Sequence, residues 1–111
     1  MTPRKALMLV RVVHTVVWAF LVGCILAVPL TALAGNLGLA TVFAAVVLLE
    51  CVVLAVNHYR CPLTDVAARY TDQRAPNFDI YLPVWLARHN KRVFGTLFAA
   101  ALLVLFWCSL R

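Results

Sequence analysis

Two long runs without Asp, Glu, Lys or Arg constrain the fold of this chain more than any other feature. The runs extend from Val12 to Leu49 and from Val93 to Leu110. About 20 apolar residues in a helix cross a hydrocarbon core roughly 30 Å thick. A chain of 111 residues that is 65% hydrophobic has too few polar residues to enclose such runs in water. The sequence therefore predicts an all-α membrane protein, with residues 1–111 forming a single integral membrane domain.

The first run is too long for one membrane span. Pro29 and then Gly35-Asn36-Leu37-Gly38 interrupt it, and such residues mark helix ends and turns. We therefore expect transmembrane helices at about 6–33 and 37–59. The second run predicts a third transmembrane helix at about 93–110.

A cleaved signal peptide is the alternative interpretation of the first helix. Arg4-Lys5 resembles the charged start of such a peptide, and Ala32-Leu33-Ala34 resembles its cleavage site. However, the apolar part is longer than that of a signal peptide and contains His14 and Arg11. We therefore expect this helix to be retained.

The basic residues are distributed asymmetrically. In a three-helix topology nine of the ten lysines and arginines fall on one side, and only Arg111 falls on the other. Because cytoplasmic loops are enriched in these residues, we expect the N-terminus and the 60–92 loop in the cytoplasm and the C-terminus outside. Basic and aromatic residues do not alternate as on a nucleic-acid platform, so the expected partner is the lipid bilayer and not nucleic acid.

A candidate buried polar site comprises Arg11, His14 and Glu50. The first helix enters the membrane near Arg4 and the second returns near Arg60, so at 1.5 Å per residue His14 and Glu50 each lie about 15 Å from the cytoplasmic end. Ionisable residues at such depth are costly and often functional. We expect Glu50 to hydrogen-bond His14 or Arg11.

Two structural interpretations compete with a functional one. Arg11 could extend its long side chain back to the headgroups, and the three residues could form a purely structural lock between helices. The first helix also carries a stripe at helical spacing, which we expect to face protein. The stripe consists of Arg11, His14, Thr15, Trp18, Val22 and Ile25.

The segment from 61 to 92 is expected to lie at the cytoplasmic interface and to contain short helices. Pro62 and Thr64 are start signals for one helix, from Asp65 to about Thr71. Pro83 fits the first turn of a second helix, which could continue through Arg92 directly into the third transmembrane helix. Between them, aromatic residues mix with a carboxylate, as at a headgroup interface, and we expect the apolar side chains to be mostly buried, either against the bundle or in the headgroups. These are Phe78, Ile80, Tyr81, Leu82 and Trp85.

A candidate interfacial site comprises Asn57, His58, Arg60 and Cys61. A helix N-terminus and neighbouring cations could lower the pKa of the Cys61 thiol, although Cys-Pro also marks an ordinary chain turn. The four cysteines form no Cys-x-x-Cys pair, so no metal site is predicted. The three histidines lie at unequal depths, which disfavours a bis-histidine haem.

The stretch Asn57-His58-Tyr59-Arg60-Cys61-Pro62-Leu63-Thr64 carries a family resemblance, together with Glu50 and Asn77-Phe78-Asp79-Ile80-Tyr81-Leu82-Pro83. Over residues 50–83 the chain resembles an uncharacterised family of small bacterial inner-membrane proteins with a Cys-Pro-Leu-Thr motif after a transmembrane helix. The resemblance implies a bacterial inner (cytoplasmic) membrane location. It implies no catalytic residue.

Three function classes remain open. The first is an accessory or structural subunit of a larger, energy-transducing membrane assembly, or a homo-oligomer, whose partners are other membrane subunits or a second copy. The second is a redox or cofactor-binding module in which His14, Glu50 and His58 contact a quinone, haem or pigment. The third is a small membrane enzyme acting on lipid through Cys61 or His58. The sequence identifies no catalytic residue and no particular cofactor.

Overall fold

The computed structural model describes residues 2–111 as an all-helical chain. Its helices are α1 (Pro3–Leu33), α2 (Leu37–Val56), α3 (Pro62–Ala68) and α4 (Val84–Leu110). By length and apolarity α1, α2 and α4 could each cross a membrane. The predicted fold class, three long apolar helices with a connecting segment that contains a short helix, is confirmed.

Local sequence signals define the α1–α2 hairpin. Thr2 caps α1 by accepting a hydrogen bond from the Lys5 backbone N–H at 3.2 Å, and Asn36 caps α2 by accepting one from the Leu39 N–H at 3.0 Å. Gly35 between them has φ +89°, a left-handed conformation that glycine adopts without a steric cost. The two helices therefore join through a tight turn.

The second helix ends three residues earlier than predicted. After Val56 the chain turns through His58 and Tyr59, whose φ values are 58° and 62°. A left-handed pair of this kind cannot continue a right-handed helix. The turn brings Pro62 to the start of α3, so the short helix also begins three residues before the predicted Asp65.

The predicted second short helix and the third transmembrane helix form one element. With Pro83 as its N-cap, α4 runs without a break through 27 residues, or about 40 Å. Pro83 therefore immediately precedes the helix and does not lie in its first turn. The predicted start of the third transmembrane helix at about 93 was nine residues late, because the basic turn 88–92 was assigned to the loop. The continuation of the second short helix through Arg92 into that helix, which the sequence allowed, is found.

The first helix is the centre of the bundle. It packs along both α2 and α4, which contact each other much less. The core contains mainly small and branched side chains, which let helices approach closely in a membrane. Its members are Cys24, Ile25, Val28, Ala44, Val47, Phe98 and Ala101, with a second cluster of Ala32, Ala40 and Cys108. Large apolar side chains elsewhere on the three long helices point outward, as expected of surfaces that face lipid.

Candidate functional site

A strap formed by residues 75–82 folds back onto one end of α1. The Phe78 N–H donates to the Ala75 carbonyl at 3.0 Å, and the Asn77 side-chain amide donates to the Leu82 carbonyl at 2.8 Å. These bonds curl the strap so that Ile80 and Leu82 are buried against the bundle. Phe78 is half-buried, whereas Tyr81 and Trp85 are exposed. Of the five apolar side chains that were predicted to be mostly buried, only some are thus buried within the protein.

Asp79 anchors the strap. It is only 6% exposed, and its carboxylate accepts a hydrogen bond from the Thr64 hydroxyl of α3. The His14 Nδ1 lies 3.1 Å from the Asp79 carbonyl oxygen and 3.5 Å from its carboxylate. A buried carboxylate requires such partners. One side chain therefore connects α1, α3 and the strap.

Arg11 and Thr15 provide a second attachment for the strap. The Arg11 guanidinium lies 4.1 Å from the centre of the Tyr81 ring, within the range of a cation–π contact. Its Nη2 also makes long contacts of 3.5 and 3.4 Å with the Asn77 and Ile80 carbonyls. The Thr15 hydroxyl accepts from the Tyr81 N–H at 2.9 Å. The stripe predicted to face protein does so, and Arg11 binds the strap.

The expected bond from Glu50 to His14 or Arg11 is not formed. Within residues 2–111 the Glu50 carboxylate has no hydrogen bond and no ion pair, although the residue is half-buried. The pairing prediction was therefore wrong, because the strap supplies backbone and carboxylate oxygens that occupy Arg11 and His14 instead. His14 and Glu50 nevertheless line the same cavity.

The predicted interfacial cluster is only partly assembled. The Asn57 side-chain amide donates to the Asp65 carboxylate at 3.0 Å and to the Arg60 carbonyl at 2.7 Å. Arg60 lies 3.6 Å from Asp65 in a partly exposed ion pair. His58 points into solvent on the left-handed turn. Asn57 and Arg60 thus stabilise the turn between α2 and α3, and His58 does not join them.

Cys61 does not have the activated thiol that its position suggested. Burial raises the pKa of Cys61 and is the largest effect. The Leu63 backbone N–H opposes it, the Glu50 and Asp79 carboxylates raise the pKa further, and the Thr64 backbone N–H makes the smallest, lowering contribution. A lowered pKa was one possibility that the sequence left open beside an ordinary chain turn, and it is not found. A thiol that holds its proton is a poor nucleophile at neutral pH.

A cavity of about 440 Å³ lies between α1, α2, α4 and the strap. Its volume is within the range of small-molecule sites. One end is lined mainly by apolar side chains and the other by polar and charged ones. The apolar end includes Leu21, Val22, Ile25, Val47, Leu54, Phe94 and Phe98, and the polar end includes His14, Arg60, Thr64, Arg74, Asp79, Arg88, Asn90 and Lys91.

Trp18 and Asn90 lie where the two ends of the cavity meet. The Trp18 indole N–H donates to the Asn90 side-chain oxygen at 2.8 Å, and its ring packs edge-on against Phe94 at 5.6 Å. These contacts hold α1 against α4. Asn90 was not predicted as a site residue, because in the sequence it stands among the basic residues Arg88, Lys91 and Arg92. Its position one turn before Phe94 is the signal that could have indicated an inward polar contact.

Within residues 2–111 no three His, Cys, Asp or Glu side chains are arranged to hold a metal ion. No protein-family model, curated protein or solved structure matches this chain.

Proposed function

We propose that this small membrane protein binds an amphiphilic small molecule in the cavity beneath the strap. The cavity itself is the observation that carries this proposal. Its walls come from three long helices, and a few polar groups converge at one end of a mainly apolar volume, which is the usual composition of a small-molecule site. A molecule with a polar head and an apolar body fits that arrangement.

The cofactor-binding alternative is a special case of this proposal. His14 and Glu50 line the cavity, whereas His58 lies outside it on the exposed turn. With the His14 Nδ1 held by Asp79, the ring nitrogen that remains for a ligand is Nε2. A quinone or pigment would therefore depend on His14 and Glu50 and not on His58.

A second candidate function is that of an accessory or structural subunit, in a larger energy-transducing assembly or a homo-oligomer. A groove between α2 and α4 favours it. The groove is lined by Thr41, Ala44, Ala45, Leu48, Phe98 and Leu102. Small residues on a membrane helix allow another helix to pack closely, and a second copy of this chain is the occupant that we propose.

We further infer a bacterial inner-membrane location with the strap and the N-terminus in the cytoplasm. The resemblance of residues 50–83 to bacterial membrane proteins supports the location. The orientation is supported by the nine basic residues that precede Val93, since cytoplasmic segments are enriched in lysine and arginine.

Two glycines offer a matched test of the cavity proposal. A Cβ atom added at Gly95 or at Gly23 would meet no other atom within 4 Å, but only Gly95 lines the cavity. Both lie inside long helices, where replacing glycine favours the helix. We therefore expect Gly95→Phe to fill the cavity without unfolding the protein, and Gly23→Phe to leave the cavity open.

The measurement is native mass spectrometry of protein transferred from its own membrane into lipid nanodiscs. We expect the wild type and Gly23→Phe to retain an added small-molecule mass that Gly95→Phe lacks. Equal retention by all three proteins, or none by the wild type, would refute the cavity proposal. The same spectra report the number of chains, and a monomer free of other subunits would refute the second candidate.

A further inference from the structure

We infer that the cavity selects an amphiphile with an anionic headgroup, such as a phosphate, on a single apolar chain. This inference rests on the proposed function and adds the chemical class of the ligand. It depends on the charges around the polar end of the cavity and on how they are arranged along α4.

The cavity lining is electrically unbalanced. Four cationic side chains line it against two carboxylates, Glu50 and Asp79. Asp79 is already bound by the Thr64 hydroxyl and lies against His14. The cations come from three separate parts of the chain, so that their convergence is a result of the fold. They are Arg60, Arg74, Arg88 and Lys91.

Arg88 is the cation available to a ligand. Arg60 is paired with Asp65, the Arg74 guanidinium donates to backbone carbonyls of residues 68, 71 and 73, and Lys91 donates to the Tyr59 carbonyl. In the described chain, residues 2–111, the Arg88 guanidinium has neither a hydrogen bond nor an ion pair, and the residue is exposed. A planar guanidinium matches a phosphate or carboxylate in two parallel hydrogen bonds.

The α4 residues that line the cavity change from charged to apolar along the helix. Arg88 and Lys91 lie at the strap end, Phe94 follows one turn later and Phe98 one turn beyond that. From Arg88 to Phe98 the helix rises about 15 Å. An anionic head at Arg88 would therefore place an alkyl chain beside Phe94 and Phe98. Since 440 Å³ is near the lower end of the usual range of pocket volumes, we expect one chain and not two.

Trp18 is an intrinsic fluorescent reporter for the alkyl chain of the ligand. It lines the cavity, and the other two tryptophans, Trp85 and Trp107, do not. In a Trp85→Phe/Trp107→Phe background, quenching of Trp18 fluorescence by a chain brominated at its end measures occupancy of the apolar part. The two probes are ω-bromoundecyl phosphate and ω-bromoundecyl phosphocholine, which share the brominated alkyl chain and differ in the headgroup, a net anion in the first and a larger zwitterion in the second.

Arg88→Gln is tested against Arg92→Gln, which removes an exposed cation one turn away that does not line the cavity. We expect the phosphate probe to bind at least fivefold more tightly than the phosphocholine probe. Arg88→Gln should weaken binding of the phosphate probe about fivefold, which corresponds to one charge contact of about 1 kcal/mol. Arg92→Gln should leave both affinities unchanged.

Each alternative outcome contradicts a different step. Equal saturable quenching by both probes, or equal effects of the two arginine variants, would refute the anionic selectivity and leave the proposed function intact. Absence of saturable quenching by either probe would refute both. Displacement of the phosphate probe by inorganic phosphate at equal concentration would show that the site recognises a free anion. The alkyl chain of the probe would then contribute nothing to the affinity.

Discussion

Replacing Asp79 with alanine should release the strap while leaving the helical bundle folded. The substitution removes the acceptor of the Thr64 hydroxyl and the carboxylate beside His14, but His14 can keep its contact with the residue-79 carbonyl at 3.1 Å. The three long helices share their own core, which does not include the strap. The change should therefore affect opening of the strap more than global unfolding.

The magnitude follows from the hydrogen bond that is lost. A hydrogen bond to a charged group contributes about 1.5–3 kcal/mol, so opening of the strap should become easier by that amount. This corresponds to roughly ten- to hundredfold faster exchange of amides that exchange only when the strap opens. Asp79→Asn keeps a neutral acceptor, for which about 0.5–1.5 kcal/mol is typical, so its effect should be smaller.

Amide hydrogen exchange in lipid nanodiscs measures this opening. The best reporter is the Tyr81 amide, which donates to the Thr15 hydroxyl oxygen. Asp72→Ala is the control, because Asp72 is an exposed carboxylate in the same connecting segment. An unchanged Tyr81 exchange rate in Asp79→Ala, or an equal acceleration in Asp72→Ala, would refute the anchoring role of Asp79.

Two further predictions concern groups beside the cavity. Because burial raises the pKa of Cys61, a smaller fraction of this residue is thiolate at any given pH. Iodoacetamide should therefore alkylate Cys61 more slowly at pH 7 than a thiol introduced on the exposed turn by His58→Cys. The alkylation rate of Cys61 should still rise with pH where the rate of the exposed thiol has reached its plateau. Coincident profiles of rate against pH for the two thiols, measured by peptide mass spectrometry, would contradict this prediction. Glu50→Gln should leave the thermal unfolding midpoint in nanodiscs unchanged, because no hydrogen bond of the described chain depends on Glu50; a marked fall in the midpoint would show that its carboxylate stabilises the bundle.

Hydropathy and turn residues predicted the helices because these signals are local. Asn36 and Gly35 mark the hairpin in the sequence and occupy the capping and left-handed positions in the structure. The end of α2 was predicted less well, since His58 and Tyr59 carry no sequence signal for a left-handed conformation. Residues other than glycine, asparagine and aspartate adopt it infrequently, mainly where neighbouring contacts stabilise it.

The site could be predicted only in part. The depth of a residue along a helix does not define the direction in which its side chain points around the helix axis. His14 and Glu50 were expected at the same depth, and they line one cavity, yet equal depth did not bring them into hydrogen-bonding contact. The partner of His14 is Asp79, 65 residues later in the chain. A carboxylate among aromatic residues resembles one exposed among headgroups, and only the folding of the strap onto α1 shows that it is buried.

The central position of α1 has a consequence for biogenesis. A ribosome delivers α1 and α2 to the membrane first, and their interface requires nothing from the later chain. The strap is synthesised next, after the α1 residues that bind it. These are Arg11, His14 and Thr15. Membrane helices insert individually and then associate, so α4 docks last, against a surface that is already assembled. The cavity is complete only then, because α4 supplies one of its walls.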